Sequence, residues 1–246
     1  MGKPTAIVVG VGAELGVGAA VCRRFAAEGY HLLAAGRTAD KLQRVVDTIR
    51  NAGGSAEAVV ADATVEGDVI RLFDHAMALG TTFEAPDAVV FNAGINRHIE
   101  FRTVTAQQFE EFWRVCCFGG FLVGREAARR LVPLGRGTVI FTGASASLRG
   151  KPGFAQFAAA KAGLRMISQS MARDYGKDGL HVAHVVVDGG VDGERLRSRN
   201  PNIATERGEN GLLNVDAIAE TYWQLHRQHR SAWTQEIDLR PFKETF

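Results

Sequence analysis

The sequence predicts an open α/β fold, a doubly wound parallel sheet with helices on both faces, in a single domain spanning residues 1–246. Three observations carry that expectation. The first is the stretch Val8-Val9-Gly10-Val11-Gly12-Ala13-Glu14-Leu15-Gly16-Val17-Gly18, which joins an apolar strand (Ala6 to Val11) to a helix through glycines at 12, 16 and 18. Gly12 is expected to turn the backbone sharply off the strand, Gly16 to clear space for a pyrophosphate at the helix N-terminus, and Gly18 to let the helix pack closely on the sheet. The second is the alternation of short apolar runs with helical stretches, which is the pattern of βαβ units. The third is size: 246 residues, 46% hydrophobic with 6 prolines, suffice for one large core and are too few for two ordinary domains and a linker.

The elements follow in order. The first helix runs from Leu15 to Glu28 and stops at Gly29, and His31 to Ala35 is a strand ending at Gly36-Arg37-Thr38. Helix Asp40 to Asn51, closed by Gly53-Gly54, precedes strand Ala56 to Ala61, which ends at Asp62. Helix Glu66 to Ala78, strand Asp87 to Phe91 and the turn Asn92-Ala93-Gly94 continue the alternation. A long helix from Ala106 to Val132 leads into strand Thr138 to Phe141, and helix Phe154 to Tyr175 leads into strand Leu180 to Val187. The alternation then breaks. Residues 188–212 are polar and rich in glycine and arginine, too long for an ordinary connection, and are read as a substrate lid over 190–213. Helix Val215 to His229 and strand Thr234 to Leu239 close the domain.

A net charge of +2 with 23% charged residues gives no field that points to nucleic acid or a membrane surface. The expected partners are a small-molecule substrate and other copies of the chain. Cys22, Cys116 and Cys117 show neither disulfide nor zinc spacing, so no metal site is expected and a reducing cytoplasm fits. The chain shows no signal segment, and no apolar run approaches the roughly 20 residues a membrane helix needs.

In an open parallel sheet a ligand lies beyond the carboxyl ends of the strands, where strand order reverses. Gly12 to Gly18, Arg37, Asp62, Asn92-Ala93-Gly94, Thr142 to Ser147 and Asp188 to Val191 all fall at strand ends. With these in place, the chain resembles the short-chain dehydrogenase/reductase family, a Rossmann-type fold, over essentially its whole length. Val11 to Gly18 is similar to that family's T-G-x-x-x-G-x-G with Val11 in place of Thr, Asn92-Ala93-Gly94 matches its N-A-G, and Phe157-Ala158-Ala159-Ala160-Lys161 occupies the place of its Y-x-x-x-K. The resemblance implies a hydride-transferring oxidoreductase acting on a carbonyl or alcohol. It implies a nicotinamide dinucleotide held by Gly12, Glu14, Leu15, Gly16, Val17, Asp62 (at the adenine), Ala63, Asn92, Ala93, Gly94, Lys161, Gly189 and Val191, and dimers or tetramers built on the two long helices.

The end of the second strand bears on which dinucleotide. A carboxylate there suits free ribose hydroxyls, whereas a 2′-phosphate needs a cation. Gly36 holds that position and Arg37 follows, which favours NADP(H) over NAD(H). Glu14, a negative charge near the same ribose, argues the other way and is outweighed by Arg37.

The catalytic positions depart from the family pattern. Phe157 has no hydroxyl to act as acid, the serine position falls on Ala144 with Ser145 beside it, and the helix asparagine falls on Cys116. Lys161 is kept. Either the enzyme takes its proton from elsewhere, with Lys161, Ser145, His98 and Asp188 as the candidates, or the chain binds NADP without turnover, as a sensor or assembly partner. A non-redox enzyme in a borrowed pocket is a third reading with no positive feature in the sequence. Arg195, Arg197 and Arg199 either clamp an acidic substrate or lie on a solvated loop.

Overall fold

The computed structural model describes residues 2–80 and 82–245. Seven parallel strands form one sheet in the order β3-β2-β1-β4-β5-β6-β9, with β1 (Thr5–Val9), β2 (His31–Gly36), β3 (Ser55–Val60), β4 (Ala88–Phe91), β5 (Gly137–Thr142), β6 (Leu180–Val187) and β9 (Glu236–Leu239). Strand order reverses between β1 and β4, which therefore opens a crevice at their carboxyl ends.

The strands are apolar on both faces because both faces are covered. Successive residues point to opposite sides. Ala6 and Val8 join Leu32, Ala34, Ala88, Val90, Ile140 and Val185 in a core under α1 (Val17–Ala27), α2 (Ala39–Asn51) and α9 (Val215–His226). Ile7 and Val9 join Leu33, Ala35, Val89, Phe91, Val139 and Phe141 in a second core under α3 (Glu66–Met77), α5 (Gly119–Leu131) and α6 (Ala155–Tyr175). At roughly 25 cal/mol per Å² of apolar surface, these two cores supply the main drive to fold.

The structure moves several predicted boundaries. β1 ends at Val9 instead of Val11, because Gly10 takes φ +95° and the N–H groups of Gly10 and Val11 both donate to Ala35 O. The expected helix Ala106 to Val132 is divided into α4 (Ala106–Trp113), a π-helical turn over Arg114–Phe118, and α5. Thr105 and Gln108 close a reciprocal capping box at the start of α4. Residues 188–214 are structured: β7 (Val191–Asp192) pairs with β8 (Leu213–Asn214) around α7 (Glu194–Arg199) and α8 (Ile203–Arg207). α9 starts where Asn214 Oδ1 accepts from Asp216 and Ala217 and ends at His226, three residues short of the expected His229.

Candidate active site

A cleft of about 860 Å³ opens at the strand-order reversal, within the size range of small-molecule sites. It brings together Gly12, Leu15, Gly16, Val17, Arg37, Asp62, Ala63, Asn92, Ala93, Gly94, Ser145, Lys161, Gly189 and Val191. Glu14 is the exception. Its Oε1 accepts from Thr48 Oγ1 on α2 at 2.9 Å and its carbonyl accepts from Arg23, so its carboxylate faces α2 and does not line the cleft.

The glycine turn works differently from its prediction. The sharp exit from β1 is made at Gly10, where a Cβ would also stand 2.3 Å from Ala93 N. Gly12 has no neighbour within 4 Å of a Cβ position and faces the open cleft. Gly18 is packed as expected, 2.9 Å from Gly10 O at the Cβ position.

At the far end of β2, a Cβ on Gly36 would meet Val11 O at 2.3 Å, so this backbone leaves no room for a side-chain carboxylate there. Arg37, 65% exposed, stands at the rim with its guanidinium 3.9 Å from Asp62. Asp62 Oδ1 accepts from the N–H and the hydroxyl of Thr64, both at 2.8 Å, which fixes the carboxylate at the wall. Lys41, in the first turn of α2, also lines this end and pairs with Glu194 at 3.7 Å. Sequence reasoning missed Lys41; its place one helical turn after Arg37 was the available signal.

At the opposite end Lys161 is buried on α6, and its Nζ donates to Thr142 O at 2.7 Å. Burial holds its pKa below the ordinary lysine value and Arg195 adds to that, against the opposing pull of Cys116 and Cys117. One turn earlier, Phe157 presents its ring to the cleft, with its centroid 6.0 Å from Nζ. The ring belongs to a small apolar cluster with Phe112, Cys116, Cys117 and Ala160. The π-helical turn sets Cys116 against the main chain of Ile95, whose N–H donates to Sγ at 3.4 Å.

The other proton-donor candidates sort by partner. Ser145 lines the cleft near Asp188. The Thr142 hydroxyl is occupied by Tyr222 OH at 2.8 Å and Asn92 Oδ1 at 3.2 Å, and Ser147 Oγ donates to Ala144 O. Asp188 is buried beside Arg149 at 2.8 Å. Burial pushes its pKa up, but hydrogen bonds from Arg149 and Ser145 and the charge of Arg240 outweigh it and hold the carboxyl below its usual range. Asp188 is therefore ionised near neutral pH and carries no proton to give, which corrects its place among the donors. His98 is exposed, packs edge-on to Phe154 and lies outside the cleft lining.

Residues 190–213 lie across the cleft and touch both walls. Glu194 N–H donates to Leu15 O, Arg195 donates through both terminal nitrogens to Gly94 O at 3.3 Å, and Arg199 donates to Asn96 O at 3.3 Å. Arg197 faces elsewhere and makes a two-pronged pair with Asp192. Among the described residues no cluster of His, Cys, Asp and Glu could hold a metal ion, and no helix is long and apolar enough to cross a membrane.

Comparison with known proteins places this architecture. The family model described as short chain dehydrogenase matches residues 5–204. The chain is 32% identical to 3beta-hydroxysteroid dehydrogenase 1 of Eggerthella lenta, over 81% of this chain and 77% of that protein. It is 30% identical to the uncharacterized oxidoreductase YuxG of Bacillus subtilis and 27% identical to gluconate 5-dehydrogenase of Gluconobacter oxydans, and it spans only 26% and 66% of those two proteins. The crystal structure of a short-chain dehydrogenase from Rhodopseudomonas palustris superposes with a TM-score of 0.82 at 36% identity, over 97% of this chain and 99% of that one. A gluconate 5-dehydrogenase from Burkholderia cenocepacia, solved with NADP and tartrate, shares the fold with a TM-score of 0.83 at 22% identity.

Proposed function

The chain belongs to the short-chain dehydrogenase family, and from that premise we propose that it is an NADP(H)-dependent oxidoreductase acting on a small carbonyl or alcohol substrate through an altered proton-donor site. The observation that carries this reading is one cleft that holds a glycine turn at one end and, at the other, a buried lysine that meets no carboxylate among the described residues. The cleft fits a dinucleotide. Gly12 leaves open space where a diphosphate would lie against the start of α1, Gly36 excludes the carboxylate that would repel a 2′-phosphate, and Arg37 and Lys41 supply cations at that rim. Leu15, Gly16, Val17, Ala63, Asn92, Ala93, Gly94, Gly189 and Val191 would wall the cofactor in.

A nicotinamide held in the cleft would supply hydride chemistry, and the chain's part is then to deliver a proton to the substrate's carbonyl oxygen. Lys161 has one fixed partner, Thr142 O, which leaves two of its three N–H groups for the ribose hydroxyls and the reacting oxygen. Its lowered pKa makes it a stronger acid than an exposed lysine, so Lys161 is the proposed donor. Ser145, which lines the cleft, would polarise the carbonyl. Losing the phenol of a general acid costs about 100- to 10,000-fold where nothing replaces it. Phe157 therefore also supports a second reading, an NADP-binding sensor or assembly partner without turnover.

The chain is proposed to be cytoplasmic, in keeping with its three unpaired buried cysteines, and to form a homodimer or homotetramer. The first experiment is a fluorescence titration with NADPH and NADH, followed by absorbance decay at the nicotinamide band with aldehydes and ketones. NADPH binding with decay that Lys161→Ala abolishes supports the reductase. Binding without decay supports the sensor, and unaltered cofactor binding by Lys161→Ala removes Lys161 from the site.

A further inference from the structure

The charges lining the cleft do not balance. The acids, Asp62 and Glu194, stand at one end and each has a base beside it, Arg37 at 3.9 Å and Lys41 at 3.7 Å. The remaining three, Lys161, Arg195 and Arg199, donate only to main-chain carbonyls among the described residues. Arg195 also lowers the pKa of Lys161, which places the two charges within electrostatic reach of each other.

The six-residue helix α7 treats its arginines unequally. Arg197 is neutralised by both oxygens of Asp192, at 2.7 and 2.9 Å. Arg195 and Arg199, four residues apart and so on one face of the helix, line the cleft with no carboxylate to meet them. Their bonds to Gly94 O and Asn96 O are all 3.3 Å, the long end of the N–H to O range, and a charged acceptor is roughly twice as strong a partner as a neutral one. An entering oxyanion would displace these carbonyls readily.

We propose that Arg195 and Arg199 form a carboxylate receptor, and that the substrate is an oxo or hydroxy acid whose apolar part lies against Ile95, Val115, Ala144 and Phe157. This rests on the oxidoreductase reading for the identity of the reacting carbonyl. The cofactor's diphosphate is a weaker claimant, since its seat is the glycine turn at the start of α1, whereas Arg199 reaches Asn96, beyond Gly94 on the wall that carries Ile95.

The test is isothermal calorimetry on the protein saturated with NADPH, using pyruvate, acetoacetate, levulinate and a long-chain 2-oxo acid, each against its methyl ester. At least one acid should bind about tenfold more tightly than its ester. The double variant R195Q/R199Q should reduce that acid to the level of the ester and leave NADPH affinity within about twofold, while Arg197→Gln should preserve the preference. The proposal is overturned if no acid is preferred to its ester, or if the double variant weakens NADPH instead, which would assign the pair to the diphosphate. If NADPH itself fails to bind, the oxidoreductase reading fails separately, and the same acid and ester comparison on the protein alone still decides the receptor. Both arginines are exposed, and circular dichroism checks that the variants fold.

Discussion

At the end of β2 the proposed preference for a 2′-phosphate rests on the Arg37 guanidinium at the rim of the cleft, with Lys41 nearby, and on Gly36, which leaves no space for an acid beside it. Arg37→Ala should weaken NADPH binding about tenfold or more and leave NADH nearly unchanged, as read by fluorescence titration; equal losses for both would show that Arg37 does not meet the 2′-phosphate. The Gly36-Arg37 pair was visible in the sequence because it is two adjacent residues at a strand end. The orientation of Glu14 was not, since the hydroxyl that turns it away, Thr48, lies 34 residues along the chain. Asp188 is similar: its charge state is set by Arg149, 39 residues distant, and by Arg240. At Phe157 a phenol can be restored to a ring that already lines the cleft. Phe157→Tyr should raise carbonyl reduction by up to about 100-fold, with stability little changed because the buried ring lines the cleft, where an added hydroxyl meets open space. No gain in steady-state rate, with cofactor affinity intact, would mean that the site has been rebuilt around another donor or that no substrate tried fits it.

The sequence reads 106–132 as one uniform helix, and its hydrophobic pattern gives no sign of the π-helical turn that widens it at Arg114–Phe118. That turn is held by a tertiary contact, Cys116 against Ile95, which no local propensity encodes. On the outer side it sets Phe118 between Trp113 and Phe121 in a stacked aromatic row, and Trp113 and Phe121 remain more than 40% exposed. Beside the row, α5 and α6 enclose a groove of about 540 Å³ lined by Phe121, Ala128, Val132 and Met171. An exposed apolar stripe of this kind on two long helices suits a second copy related by a two-fold axis. Sedimentation velocity at micromolar concentration should give a dimer or tetramer, and Phe121→Glu should lower the mass toward that of one chain. A wild-type monomer would refute the assembly. The segment 190–213 shows the opposite limit. Its length and polarity marked it as distinct, but α7 and α8 are too short for periodicity to reveal them.

Across the whole molecule, the two-sided burial of the sheet was legible because the strands are continuous apolar runs, while the sorting of alternate residues into two cores follows from the pleat, and the same burial sets how the fold responds to acid. His184 on β6 is enclosed, with Nδ1 at 2.9 Å from Glu236 Oε2 and Nε2 without a partner among the described residues. Burial lowers its pKa from 6.5 to about 4, against the opposing pull of Glu236. His226 is lowered to about 4 as well, by burial and then by Arg227 and His181. Both rings are neutral in the fold, while the unfolded chain takes up protons below pH 6.5, so this part of the stability is complete above that pH and is lost as pH falls toward 4. Asp87 acts the other way: burial raises its pKa to about 6, so protonation between pH 6 and its ordinary value favours the fold. Two histidines against one aspartate leave a net loss on the order of 3 kcal/mol by pH 4. Urea midpoints measured from pH 7.5 to pH 4.5 should fall steadily, and His184→Gln, which keeps a donor toward Glu236 without a titrating ring, should remove most of the slope, because His226 and Asp87 then nearly offset each other. A wild-type midpoint that holds level, or a variant with the same slope, would show that these histidines are not the groups through which acid reaches the fold.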